Sequence, residues 1–322
     1  MFWLTWRQHR AQILVTGGLL LALGLLMLVS ALRATAYLAE YAPPGCPGPA
    51  VSCSAVNHVV YTDHYRPVFF VFGLLPIFGA ALIGVFWGAP LLAAEFERGT
   101  NALAWTQAVP IRRWLTVKFG MLGALVAGAA LALSAMVSTW RNVFSGVTGD
   151  VTMEPGNFTI TGIVPAAWWL FAFAVGAAAG TVTRRTLAAM AVTVAVICLA
   201  LPAVFFSRSS YAEPARVVTA DRSSVAHGGG TLVRESWVDP SGRELTAPPP
   251  PPCPLPAGVD ARSDRAQLLG EECLVGSGYR HAVYYHPVDR FWRFQWTETA
   301  ILLAGALAFG ALAVLRTLRR RG

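Results

Sequence analysis

Six long apolar runs restrict this chain to one structural class. They are Ile13 to Leu32, Val68 to Ala94, Phe119 to Thr139, Ile163 to Val182, Leu187 to Phe206 and Ala300 to Leu315. A bilayer core about 30 Å thick asks about 17 to 25 apolar residues of a spanning helix. Backbone groups in lipid must be bonded within the segment itself, so runs of this length are helices. Only 13% of the residues are charged, against about a quarter in soluble domains. The expected class is an all-α integral membrane protein with six transmembrane helices.

Charge sets the expected orientation. With both termini cytoplasmic, the inside segments carry Arg7 and Arg10, then Arg98, Arg112, Arg113 and Lys118, then Arg184 and Arg185, then Arg316 and Arg319 to Arg321. The short outside loops carry only Arg33, Arg66 and Arg141. That asymmetry follows the positive-inside rule. The formal charge of +8 therefore reads as topology and not as a nucleic-acid footprint. Acidic residues avoid the middle of every run, which argues against a proton-coupled carrier with a carboxylate at depth.

Along the chain, residues 1–206 are expected to form helices one to five. The opening MFWLTWRQHR mixes aromatic and basic residues, as a short helix lying in the interface does. A signal peptide is the rival reading, since Arg33 to Ala36 offers an A-x-A-like end. The apolar run of about 20 residues is too long for an h-region of about 7 to 15. Helix two contains Pro76 and Pro90 and should tilt or kink. Gly84 and Gly88, like Gly176 and Gly180, are spaced for close approach of helices, within one chain or between two.

Residues 207–297 are expected to be a large extracytoplasmic loop, either a small lid or a mostly flexible segment, with low apolar density favouring partial disorder. Strand-like patches occur at Thr231 to Val233 and Ala282 to Tyr285, and Pro248 to Pro252 reads as an extended spacer. Four of the five cysteines fall on the oxidising face, where disulfides persist. Local pairing, Cys46 with Cys53 and Cys253 with Cys273, is the expected connectivity among three. Phe291, Trp292, Phe294 and Trp296 precede helix six as an aromatic belt for the membrane interface. Residues 298–322 complete helix six and a basic tail that would meet the lipid bilayer.

Enzymatic motifs are missing from the sequence. A phosphate-binding loop needs Gly-Lys-Ser or Gly-Lys-Thr, and the sole lysine, Lys118, lies between Val117 and Phe119. The histidines show no i, i+4 pair on a helix, and no zinc signature or GxSxG elbow is present. No cofactor, metal or catalytic residue is expected, and the chain is not expected to be its own P-loop ATPase.

The polar interval from Glu95 to Lys118 is the one stretch suited to a partner in the cytoplasm. Gly99 and Thr100 can break helix two, the Thr100 hydroxyl can cap a helix from Asn101 to Ala108, and Pro110 ends it. The sequence EFERGT, followed by that short helix, a proline, two arginines and a lysine, resembles the type 2 ABC exporter permeases. The segment RFWRFQWTE, Arg290 to Glu298, resembles in particular the actinobacterial permease subunits of that family. The resemblance implies that Glu95, Glu97, Arg98, Gly99, Thr100, Asn101, Trp105, Gln107, Pro110, Arg112 and Arg113 form a coupling element seated on an ABC ATPase subunit. It also implies a second permease copy, identical or homologous. Glu95 and Glu97 would pair with Arg112, Arg113 or arginines of the partner. The alternative is a non-transporting membrane anchor or sensor that binds a ligand through residues 207–297.

Overall fold

The computed structural model describes residues 2–41, 65–99, 110–143, 152–220, 230–245 and 262–319, with 247, 249, 253, 254 and 260. Cys46 and Cys53, the stretch from Thr100 through Asn101, Trp105 and Gln107 to Val109, most of the proline run and the tail from Arg320 lie outside the described residues. The chain divides into two compact units, one of Met1–Thr148, Pro155–Arg208 and Trp292–Gly322, the other of Gly149–Glu154 and Ser209–Phe291.

The first unit contains α1 (Phe2–Tyr41), α2 (Arg66–Ile83), α3 (Pro90–Glu97), α4 (Ile111–Asn142), the single turn α5 (Pro155–Phe158), α6 (Val164–Thr183), α7 (Thr186–Ser207) and α9 (Phe291–Arg319). Among the described residues, six stretches are long and apolar enough to cross a membrane: Trp6–Tyr37, Phe70–Glu97, Ile111–Asn142, Val164–Thr183, Thr186–Ser210 and Val288–Arg319. MFWLTWRQHR is continuous with α1, so the separate interfacial helix expected at the amino terminus is the first turns of the same helix. No proline or glycine interrupts it there, and the helix propagates once started.

Helix α6 is the centre of this unit. In its apolar window 83% of the residues are buried, against 6% in the window of α1. The burial is possible because both α6 and the helix beside it give up side chains at the contact. A Cβ built on Gly176 would lie 2.3 Å from the Gly84 carbonyl oxygen, and one on Gly88 would lie 2.5 Å from the Phe173 carbonyl oxygen. On Gly180 it would meet the Ala89 carbonyl oxygen at 2.6 Å. The glycine spacing thus serves packing within the chain, where backbone-to-backbone dispersion replaces side-chain interdigitation.

The two prolines of the second crossing act differently. Pro76 stays within α2, and its carbonyl accepts the Trp169 indole N–H at 2.7 Å. Ahead of Pro90 the chain widens into a π-helical turn, Gly84–Gly88, closed by Ala89 N–H to the Gly84 carbonyl at 2.8 Å. Pro90 has no N–H to offer the Phe86 carbonyl four residues back. Gln12 of α1 supplies that donor through Nε2, at 3.2 Å.

The second unit corrects the all-α expectation for the segment after α7. It holds β1 (Ala215–Thr219), β2 (Thr231–Val238), β3 (Glu244–Leu245) and β4 (Arg280–His286), with α8 (Asp264–Gly276). The four strands form one antiparallel sheet in the order β1-β4-β2-β3. Ala215 pairs with Tyr285 and Thr231 with His286, so the ladder is made of residues far apart in sequence. Local apolar density does not report such pairings, which is why composition favours partial disorder over a small lid. Val238, Ala266, Leu274, Ala282 and Val283 are its buried apolar residues. The β2–β3 turn is set by Asp239, whose Oδ1 accepts from the Ser241 and Arg243 N–H groups at 2.9 Å each. Cys253 and Cys273 are disulfide-bonded, with Cα atoms 6.1 Å apart.

His281 of β4 lies between two carboxylates in this unit, Nδ1 2.7 Å from Glu235 Oε1 and Nε2 3.1 Å from Glu271 Oε1. His286 is also buried, and burial holds its pKa below the ordinary histidine value, partly offset by hydrogen bonding with the Ser209 backbone.

Gly176→Ala should cost about 1–3 kcal/mol through overpacking, whereas Gly128→Ala, with nothing within 4 Å, should leave the thermal midpoint of the detergent-solubilised protein unchanged or raised. The unfolded chain protonates His286 near about pH 6.5 and the folded chain only below that. Stability should therefore fall as pH drops from about 6.5 towards the lowered value, and His286→Gln should flatten that slope in thermal midpoints measured across this range.

Candidate functional site

The interval singled out in the sequence is bounded by two helix ends. Helix α3 stops at Glu97, Arg98 caps it, and Gly99 turns the backbone to a φ of 65°, a conformation that favours glycine. Pro110 immediately precedes α4 in an extended conformation, φ −56° and ψ 129°. On α4 the positions Ile111, Leu115, Lys118 and Leu122 share one buried stripe, while Arg112 and Arg113 are exposed. The helical period therefore separates the three cations of this region: two face outward and one is turned in.

Lys118 is fully buried, and its surroundings supply what an ammonium in such a place requires. Nζ donates to Glu95 Oε1 at 2.6 Å and to the Leu91 carbonyl at 3.3 Å, and it sits over the Trp114 ring, 4.6 Å from the centroid. Glu95 thus pairs with Lys118, a partner outside the set expected from the sequence. His9 of α1 bonds Gln12 Oε1 through Nδ1 at 2.7 Å, which ties the opening turns of α1 to the residue that serves the Phe86 carbonyl.

Glu97 has a different task from the cross-loop pairing expected. Its Oε1 accepts from the Thr186 N–H at 2.9 Å and its Oε2 from the Thr186 hydroxyl at 2.7 Å. Thr186 begins α7, so a carboxylate from α3 caps the positive end of another helix. The hairpin it grips is tight: Arg184 closes α6 in the left-handed region, φ 56°, and Arg185 is extended. The end of α3 is consequently bonded to α4 through Glu95 and to α7 through Glu97.

A second polar network joins Gln295 and Glu298 of the RFWRFQWTE segment to Arg208, Trp168 and the turn before α6. Glu298 of α9 is fully buried. Arg208, at the end of α7, donates to it from Nε at 2.7 Å and from Nη2 at 2.9 Å, and Trp168 Nε1 donates at 3.2 Å. The guanidinium also reaches Thr159 Oγ1 at 2.8 Å and lies 4.7 Å from the Phe158 ring centroid. Gln295, three residues before Glu298, accepts from the Ile163 and Val164 N–H groups at 2.9 and 3.0 Å. Its amide donates to the Phe158 and Thr161 carbonyls at 3.1 and 3.2 Å. The first N–H groups of α6 are therefore capped by a side chain from α9.

The signal for this network was the period of RFWRFQWTE. Trp292 and Trp296, four apart, are exposed, while Phe294, Gln295 and Glu298 are buried. Phe294 is accordingly a packed residue, on the opposite side of the helix from the two exposed tryptophans with which the sequence grouped it.

The chemistry available at these sites is ionic and mechanical. Among the described residues, no group of three His, Cys, Asp or Glu side chains could hold a metal ion. Removing one partner of a buried pair leaves an uncompensated charge, at a cost of about 3–5 kcal/mol. Lys118→Met should therefore lower the thermal midpoint strongly, and Lys118→Met with Glu95→Leu should recover most of the loss in a double-mutant cycle.

Comparison with known proteins agrees with the helical architecture. No curated protein and no solved structure matches the chain. Residues 17–207, which contain α2, α3, α4, α6 and α7, match the family described as ABC-2 membrane transporter related. The chain belongs to the ABC-2 membrane transporter related family.

Proposed function

We propose that this protein is the permease subunit of an ATP-driven ABC exporter in the plasma membrane, with both termini cytoplasmic and residues 100–109 forming the element that engages a separate ATPase. The family generally works with an ATPase partner, and the six apolar helices fit its membrane subunit. The observation that carries the reading is the bonding at the end of α3. Glu95 ties that end to α4 and Glu97 ties it to α7, so a displacement of the intervening segment is passed directly to the helices packed around α6.

In this reading the segment moves as the ATPase closes, and the permease shifts between an inward-facing and an outward-facing population. The free energy for that shift comes from the partner, because a conformational equilibrium moves only by the difference in interaction with the two states. Arg98, Arg112 and Arg113 are exposed beside the segment and suit an acidic rim on the partner. A second permease copy, identical or homologous, would complete the set of helices.

Affinity purification of the full-length chain from its own organism should bring down an ATPase carrying a Walker A motif. Glu97→Ala with Arg98→Ala should reduce its recovery by roughly tenfold, the equivalent of about 1.4 kcal/mol. Undiminished recovery would remove the coupling assignment. Failure to recover any ATPase from the unaltered chain would favour the anchor or sensor reading.

A further inference from the structure

The coupling role leaves the outward face of α1 unused, and the order of residues on that face is not that of a plain lipid-facing helix. The opening turns divide their side chains between two sides. His9 and Gln12 bond each other, and Gln12 serves the Phe86 carbonyl on the inner side. Trp3, Arg7, Arg10, Leu14, Leu21 and Leu25 are exposed. At 3.6 residues per turn these six fall within an arc of about 60°. One stripe therefore carries an aromatic ring, two cations and then leucines.

Depth places the cations. The apolar run of α1 starts at Ile13, and Arg10 and Arg7 stand three and six residues before it. Those offsets are about 4.5 and 9 Å along a helix that rises about 1.5 Å per residue. The headgroup layer outside the hydrocarbon core is about 5 to 8 Å thick on each side. Arg10 thus lies in that layer and Arg7 at its outer edge, while the leucines lie beside the acyl chains. Trp3 backs the outer guanidinium, with Arg7 Cζ 5.3 Å from the ring centroid, an aromatic–cation pairing suited to the membrane interface.

Neither cation is neutralised by its own end of the helix, since the first acidic residue of the chain is Glu40, near the far end of α1. Glu95, on the second crossing, is committed to Lys118. Among the described residues, no carboxylate forms an ion pair with Arg7 or Arg10. Two cations without an internal anion, set at the level of lipid phosphates, complement an anionic headgroup. A second identical copy is a poorer occupant, because a two-fold contact would press a stripe with two cations and no acid against itself.

We propose that this face of α1 is a binding site for an anionic phospholipid, with the phosphate at Arg7 and Arg10 and an acyl chain along Leu14, Leu21 and Leu25. The site requires α1 to cross a bilayer; it does not require the ATPase.

Native mass spectrometry of the full-length chain in detergent, titrated with phosphatidylglycerol or phosphatidylcholine, tests the site. The unaltered chain should bind phosphatidylglycerol roughly tenfold or more tightly than phosphatidylcholine. Arg7→Gln and Arg10→Gln should each weaken phosphatidylglycerol binding roughly fivefold, and together roughly twentyfold, with phosphatidylcholine binding unchanged. Arg262→Gln with Arg265→Gln removes the same charge from an exposed part of the second unit and should leave both affinities alone. The thermal midpoint is the second measurement. Phosphatidylglycerol should raise it in the unaltered chain and much less in the Arg7/Arg10 variant, and glycerol 3-phosphate, which has no acyl chains, should not raise it.

Equal affinity of the unaltered chain for the two lipids would overturn the site. An equal loss in the Arg262/Arg265 variant would overturn it too, because binding would then follow net charge alone. A matching rise with glycerol 3-phosphate would replace it by a site for free phosphate. If the Arg7/Arg10 variant kept its phosphatidylglycerol but changed between one-copy and two-copy mass, a second copy would be the occupant and the lipid assignment would fall. Failure to recover an ATPase would count against the exporter reading and leave these lipid measurements unaffected.

Discussion

The backbone contact between α6 and the π-helical turn of the second crossing is the constraint on which the helical unit depends. Gly84 and Gly88 on one side and Gly176 and Gly180 on the other bring carbonyl oxygens and Cα atoms to distances that any side chain would forbid. In lipid, apolar side chains gain little by leaving the tails for one another, so association relies on close packing and on hydrogen bonds. Once α6 is drawn into the centre by this contact, its ends and polar neighbours must be satisfied by protein, since the surrounding helices exclude water from them.

The polar groups around α6 show how that requirement is met. The Phe86 carbonyl, freed by Pro90, is taken by Gln12. The opening N–H groups of α6 are taken by Gln295, and the first N–H of α7 by Glu97. Each solution uses a side chain from a helix distant in sequence, so each also serves as a cross-link. A bond of this type is worth more as a determinant of geometry than as net stability, because its alternative in the folded protein is an unpaired buried group. The Glu97 link lies at the end of α3, and the Gln295 links gather around the turn before α6. The helical unit therefore has rigid polar joints at both ends of its central helix, separated by the apolar glycine contact.

The six helices apolar enough to cross a membrane and their family were legible in the chain because both depend on local features. A run of apolar residues long enough for the bilayer has to become a helix whatever surrounds it, and the prolines, glycines and arginines that delimit the runs act on their own backbone. The short polar interval at Glu95 to Lys118 stood out for the same reason. Side-chain direction was less legible. Phe294 was grouped with the tryptophans that flank it by composition, although a helix places it on the other face. Glu298 stands at the start of the segment 298–322 in the sequence, and α9, which begins at Phe291, buries it.

By itself the sequence determined which helices are long and apolar enough to cross a membrane, the breaks at Gly99 and Pro110 and the spacing of the glycines, all of which follow from interactions within a few residues. Only the tertiary structure decided who pairs with whom: Lys118 with Glu95, Glu97 with Thr186, Arg208 with Glu298, and the four strands of residues 215–286 with one another. The physical reason is that a charge or a strand edge has many acceptable partners in an extended chain. Which one it receives depends on the whole chain closing around α6 in one unit and around β4 in the other.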